Sequence, residues 1–249
     1  MKNKKEKKSK KKILIIIGAI VAVIAGLIIY GVVVDLNQEK KLQVAEPFIL
    51  EQPYLYEITN KEDYDEKEVN KILNRTVTTG DYKKVEVAYK KYTKDCFTIL
   101  TDITSVLGND RLSYVLTADN YQEDGKDFVK TKEYLKSAKE TLEQSMIKYN
   151  DYFTEEKAMS YLDKELDDYY IDFYKDEVVG NLESDEEDEK LFDSLNSIID
   201  LINAEEEVIN FLIENKDNWQ VENGSIAFTS DSLIDEYNML LAAINNENI

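Results

Sequence analysis

Residues 85–106 read VEVAYKKYTKDCFTILTDITSV. Within them Val85, Tyr89, Tyr92, Cys96, Ile99, Ile103 and Val106 recur at alternating spacings of four and three. An α-helix turns once in about 3.6 residues, so these side chains fall on one stripe and most of the polar ones fall elsewhere. The stretch therefore predicts a helix with one buried face, ending at Gly108.

The same pattern extends in both directions. Upstream, Val69, Ile72, Leu73, Thr76 and Val77 predict a helix that stops at Gly80, a residue suited to a C-cap. Downstream, a short element around Leu112, Val115 and Leu116 leads into the polar stretch DNYQEDGKDF at 119–128, expected as a loop. The spacing resumes at Phe128, Thr131, Leu135, Ala138, Leu142, Ser145, Tyr149 and Tyr152. Thr154 is placed as an N-cap, with Glu155 and Glu156 at the positive end of the next helix dipole. Met159, Leu162, Leu166, Tyr169 or Tyr170, and Phe173 are expected to carry that helix to near Gly180. Ser184 and Glu187 form a capping box opening a helix through Leu191, Leu195, Ile198, Ile202, Ile209 and Leu212. A last helix carries Leu233, Tyr237, Leu240 and Ile244.

One segment breaks the pattern. NWQVENGSIAFTSDSL at 218–233 contains Asn223-Gly224, the strongest two-residue hairpin signal, because a type I′ turn needs positive φ twice. With those residues as the turn, Val221 pairs with Ile226 and Trp219 with Phe228. All four share a face that needs something to pack on. The expected fold is all-α, an elongated antiparallel bundle with one small β-hairpin at about 219–228.

The N-terminus is different in kind. Residues 1–12 carry eight lysines and one glutamate, and Ile13–Val34 is 22 residues without a charge. Such a run is long enough to span a bilayer core, and the lysines before it place the N-terminus in the cytoplasm. The apolar run is too long for an ordinary signal peptide and lacks a clear small-x-small site, so an uncleaved signal-anchor is expected. The organisation that follows is a cytoplasmic polybasic tail at 1–12, a transmembrane helix at 13–34, a stalk at 35–60 and an extracytoplasmic helical domain at 61–249. Gly18, Ala22 and Gly26 give the membrane helix one small-residue face, which suits close approach of a second helix, including a copy of itself.

Charge narrows the partners. With 31 basic and 51 acidic residues in all, the chain beyond residue 12 holds 23 basic against 50 acidic, a net of −27. Nucleic acid is disfavoured, because binding it requires phosphate neutralisation. Only Arg75 and Arg111 are arginines, and lysine, isoleucine and asparagine are abundant. That composition is associated with AT-rich bacterial genomes.

Catalytic signals are sparse. The chain has no histidine and one cysteine, Cys96, which lies on an apolar stripe. This removes His-based triads and intrachain disulfides. No Walker loop or GxGxxG occurs, and no cofactor is expected. Asn120, Gln122 and Asp124, followed by Gly125, resemble half of a calcium loop, but Thr131 stands where a bidentate Glu belongs. Acid pairs such as Asp167-Asp168 and Glu186-Glu187 are raw material for a carboxylate-pair hydrolase, a minor alternative. The tyrosine-rich stretch Tyr161–Glu177 offers contact residues: Tyr161, Tyr169, Tyr170 and Tyr174, with Trp219 from the hairpin.

The function expected from the sequence is non-enzymatic. It is a membrane-anchored extracytoplasmic domain that binds another envelope or membrane protein. The alternative is an accessory or sensory subunit that binds a small ligand and couples through its transmembrane helix.

Overall fold

The apolar stripes fold as helices. In order these are α1 (Glu66–Leu73), α2 (Asp81–Leu107), α3 (Arg111–Tyr114), α4 (Ala118–Asp124), α5 (Val129–Tyr152), α6 (Glu155–Met159), α7 (Asp168–Val178) and α8 (Asp185–Glu214). Strands β1 (Trp219–Glu222) and β2 (Ser225–Phe228) then precede α9 (Asp231–Asn246). The structure is a computed structural model and describes residues 66–178 and 185–246, with Pro47, Glu51 and Leu182. The chain is mostly helical, with one two-stranded antiparallel hairpin. The apolar run Ile13–Val34, with Gly18, Ala22 and Gly26, lies outside the described residues, as do the Ser184 cap and the Glu187 side chain. Among the described residues no helix is long and apolar enough to cross a membrane.

The chain divides into two compact units. One runs up to Thr104 and resumes at Ser145–Leu191; the other comprises Ser105–Gln144 and the residues from Phe192 onward. In the first unit the α2 stripe, Val85, Ala88, Tyr89, Tyr92 and Cys96, is buried with Ala158, Leu162, Leu166, Tyr174 and Val178. In the second unit aromatic rings meet around the hairpin. Trp219 lies 6.1 Å from Tyr121 and 5.9 Å from Phe128, while Phe228 lies 5.2 Å from Tyr237 and 6.1 Å from Phe211.

The hairpin has the expected register. Trp219 faces Phe228 and Val221 faces Ile226, around a turn with φ of 52° at Asn223 and 76° at Gly224. Trp219 is buried, and its indole N–H donates to Leu212 O at 2.7 Å.

Three elements differ from the sequence reading. The first helix stops at Leu73 and not at Gly80. Residues 75–79 form no regular element, because the carboxylate of Glu86 accepts from the amides of Val77 (2.9 Å) and Thr78 (2.8 Å) and from the Thr78 hydroxyl (2.5 Å). The β-branched run Thr76–Thr79 resists a helix on its own, and the carboxylate supplies the partners that a helix would have given its amides.

The second difference is in the polar stretch 119–128, where residues 118–124 are helical. Thr117 caps this helix, its hydroxyl accepting from the Asn120 amide at 3.2 Å. The third is the expected helix 155–180, which breaks after Met159 and restarts at Asp168. Asp163 accepts from the Glu165 amide at 3.0 Å and Asp167 from the Tyr169 amide at 3.1 Å. Such short side chains give the backbone a local alternative to the helix. The Thr154 cap forms as expected, accepting from Lys157 N at 3.2 Å.

Two substitutions test these constraints. No atom lies within 4 Å of a Cβ built at Gly224, so Gly224→Ala meets only the left-handed backbone. It should destabilise by about 1–2 kcal/mol, with Gly224→Asn recovering most of the loss in thermal melts. Lys90, 4% exposed, bonds Glu86 at 2.7 Å, and Glu86 is 0% exposed. Lys90→Met should cost about 3–5 kcal/mol at neutral pH, because it strands a buried charge. The loss should shrink in acid as Glu86 protonates, and an equal loss at both pH values would contradict the charge argument.

Candidate functional site

The calcium candidates do not form a calcium loop. Asn120, Gln122 and Asp124 sit on α4, and two of them are already engaged. The buried Asn120 amide donates to Val115 O at 2.7 Å and to the Thr131 hydroxyl at 3.1 Å. Asp124 accepts from Thr131 N at 2.7 Å and Lys130 N at 3.2 Å, so its carboxylate satisfies amides at the start of α5. Gln122 is exposed. Among the described residues no cluster of three acidic, cysteine or histidine ligands forms.

The tyrosines are packed inward. Tyr174 is 0% exposed and donates to Ala158 O at 2.8 Å. Tyr161 is half-buried, donates to Asp95 at 2.6 Å and lies edge-on to Tyr92. Tyr169 and Tyr170, also half-buried, surround Tyr82, with the Tyr169 and Tyr82 hydroxyls 2.6 Å apart. Tyr174 and Trp219 therefore offer no outer surface, and the other three expose only part of their rings. The break at 160–167 produces this result, because it lets both sides of the Tyr161–Glu177 stretch turn toward α2.

Cys96 is buried and free, and burial pushes its thiol up to about 12. A thiol held protonated is a poor nucleophile. Asp167 and Asp168 are exposed at the start of α7, with Asp167 occupied as a cap.

Two buried glutamates have opposite electrostatics. Burial alone would raise the Glu86 pKa, but bonds from Lys90, Thr78 and Val77 outweigh it and hold the carboxyl below its usual range. Lys90 also bonds Glu51 at 2.6 Å, and Arg75 pairs with Glu51 as well. Glu205 in α8 is 5% exposed, and its Oε2 has no hydrogen-bond partner. Burial pushes its carboxyl up to about 8. Its charge helps raise the pKa values of Tyr121 and Tyr134 behind the larger effect of their own burial, and Tyr121 bonds Tyr237 at 2.9 Å. A signal for Glu205 was present in the sequence. Ile198, Ile202, Ile209 and Leu212 leave a gap in the spacing at 205, so the buried stripe of α8 takes an acid there.

Exposed large apolar residues among those described are Val87, Val129 and Ile147, each on a different stretch, and Ile234 and Met239, which share α9. Met239 to Ile244 reads MLLAAI, apolar on every side of the helix, yet none of these residues is buried. Met239 is 71% exposed and Ile234 39%. Among the residues of α9 whose burial is described, Tyr237 is the buried one. Leu240, Leu241 and Ile244 are half-buried, while Met239, Ala242 and Ala243 are exposed, and this exposed side is the candidate binding surface.

No protein-family model, curated protein or solved structure matches the chain.

Glu205 yields a pH prediction. Its carboxyl titrates near 4.5 in the unfolded chain and about 8 in the folded one. Between those values the folded state keeps a proton that the unfolded state has released, so stability falls as pH rises through this window. Glu205→Leu should raise the melting temperature by several degrees at pH 8, with the gain fading toward pH 5. No histidine titrates in the same window. A gain independent of pH would assign the effect to packing.

Proposed function

We propose that this protein is a non-enzymatic, single-pass membrane protein whose acidic helical part lies outside the cytoplasm and binds another protein of the cell envelope or membrane. The exposed side of α9, with Met239, Ala242 and Ala243 open among the described residues, supports the binding part of this reading. The membrane part rests on the uncharged run Ile13–Val34 behind the eight lysines. The tether keeps the binding face at high effective concentration near the membrane. The non-enzymatic part rests on a buried thiol that burial holds protonated, the lack of histidine, and the use of Asp167 as a cap at the start of α7.

One experiment on intact cells tests both parts. The chain should stay in carbonate-washed membranes, and protease added outside should remove the acidic part and spare a tag on residues 1–12. Cross-linking should capture the same protein from the native chain and from a chain whose Ile13–Val34 is replaced by an unrelated membrane helix. Release by carbonate, or protection from external protease, would sink the topology. A partner lost on the helix swap would move recognition into the membrane.

A further inference from the structure

We propose that the outer side of α9, formed by Met239, Ala242 and Ala243 with Asp235 and Glu236 beside them, docks a cationic amphipathic helix of the partner protein. The inference deepens the binding reading above and rests on it.

The geometry comes from the helix itself. At 3.6 residues per turn, Met239, Ala242 and Ala243 fall on the side opposite Tyr237, the buried anchor of α9. Asp235 and Glu236 lie about one turn before Met239, at i−4 and i−3, one to either side of it. Met239 is long and flexible, and the two alanines allow close backbone approach. A facing helix with apolar residues at spacings of three and four can pack along this surface.

The charge selects among occupants. From Asp217 to Ile249 the chain contains no lysine or arginine, against six acidic residues, Asp217, Glu222, Asp231, Asp235, Glu236 and Glu247. The last turn of α9 carries no basic residue of its own to offset the negative end of its dipole. Acids in the first two turns and a negative helix end together call for positive charge at both ends of an apolar ligand. A second copy of this chain would instead bring the same acids against themselves, and like charges across an interface disfavour it.

The test uses the full chain in nanodiscs of zwitterionic lipid, with a nitroxide on Met239→Cys; the native Cys96 is buried. The probe is an amphipathic leucine-lysine peptide of about 18 residues, long enough to hold a helix. Its controls are the leucine-glutamate counterpart and a scrambled leucine-lysine peptide. The nitroxide should be immobilised by the amphipathic lysine peptide alone, and a label on Ile147→Cys, a position 71% exposed in the first unit, should not respond. Asp235→Lys with Glu236→Lys should weaken binding about tenfold or more, with the melting temperature kept. Equal response at both labels, response to either control peptide, or no response would overturn the proposal. A nitroxide already immobilised without peptide, and freed on dilution of the nanodiscs, would assign the face to a second copy and also overturn it. A photo-cross-linking residue at each of the two positions in intact cells separates this proposal from the reading beneath it. An adduct from position 239 supports both. An adduct from position 147 alone removes this face and leaves a partner-binding protein. Adducts from neither count against both.

Discussion

Burial of one apolar stripe on each of the long helices α2, α5 and α8 underlies the fold, in a sequence whose acidic excess leaves little choice about what else enters the core. Fifty-one acidic residues against 31 basic ones must mostly remain in water, because an unpaired buried charge is expensive. The two glutamates that do enter illustrate the two ways of meeting that demand. Glu86 stays ionised because Lys90 and the amides of residues 77 and 78 surround its carboxylate. Glu205 has no such partners and is driven toward its neutral form. The first adds stability above the ordinary carboxylate range and loses it in acid. The second does the reverse.

Side chains also end the helices. The chain has 8 glycines and 2 prolines, so the usual backbone punctuation is scarce. Thr117 and Thr154 cap helix starts, Asp124 satisfies the first amides of α5, and Asp163 and Asp167 hold the turns between α6 and α7. Where strain is present, burial compensates it. Phe128 adopts φ 48°, unusual for a bulky residue, and is held at 0% exposure beside Tyr121 and Trp219. The hairpin is thus part of the second unit's aromatic core as well as a chain reversal.

These arrangements engage the hydroxyls of Tyr161, Tyr169 and Tyr174 within the first unit. On α9 the burial of Tyr237 leaves Met239, Ala242 and Ala243 open to solvent.

The sequence by itself determined the helical class, the stripe on α2, α5 and α8, the Thr154 cap, and the hairpin down to its residue pairing. Each of these depends on local periodicity or on the φ preferences of two turn residues, and neighbours in sequence decide both. Only the tertiary structure decided where helices stop when a side chain competes for the backbone: Glu86 lies eight to nine residues from the amides it draws out of α1's continuation. It also decided which tyrosines are covered, since Tyr174 and Tyr169 find partners 16 and 87 residues away. The same holds for Glu205 and α9. The gap in the apolar spacing at 205 and the run MLLAAI are visible in the letters. Whether a stripe position is dry, or an apolar helix is covered, depends on what packs against it from distant parts of the chain.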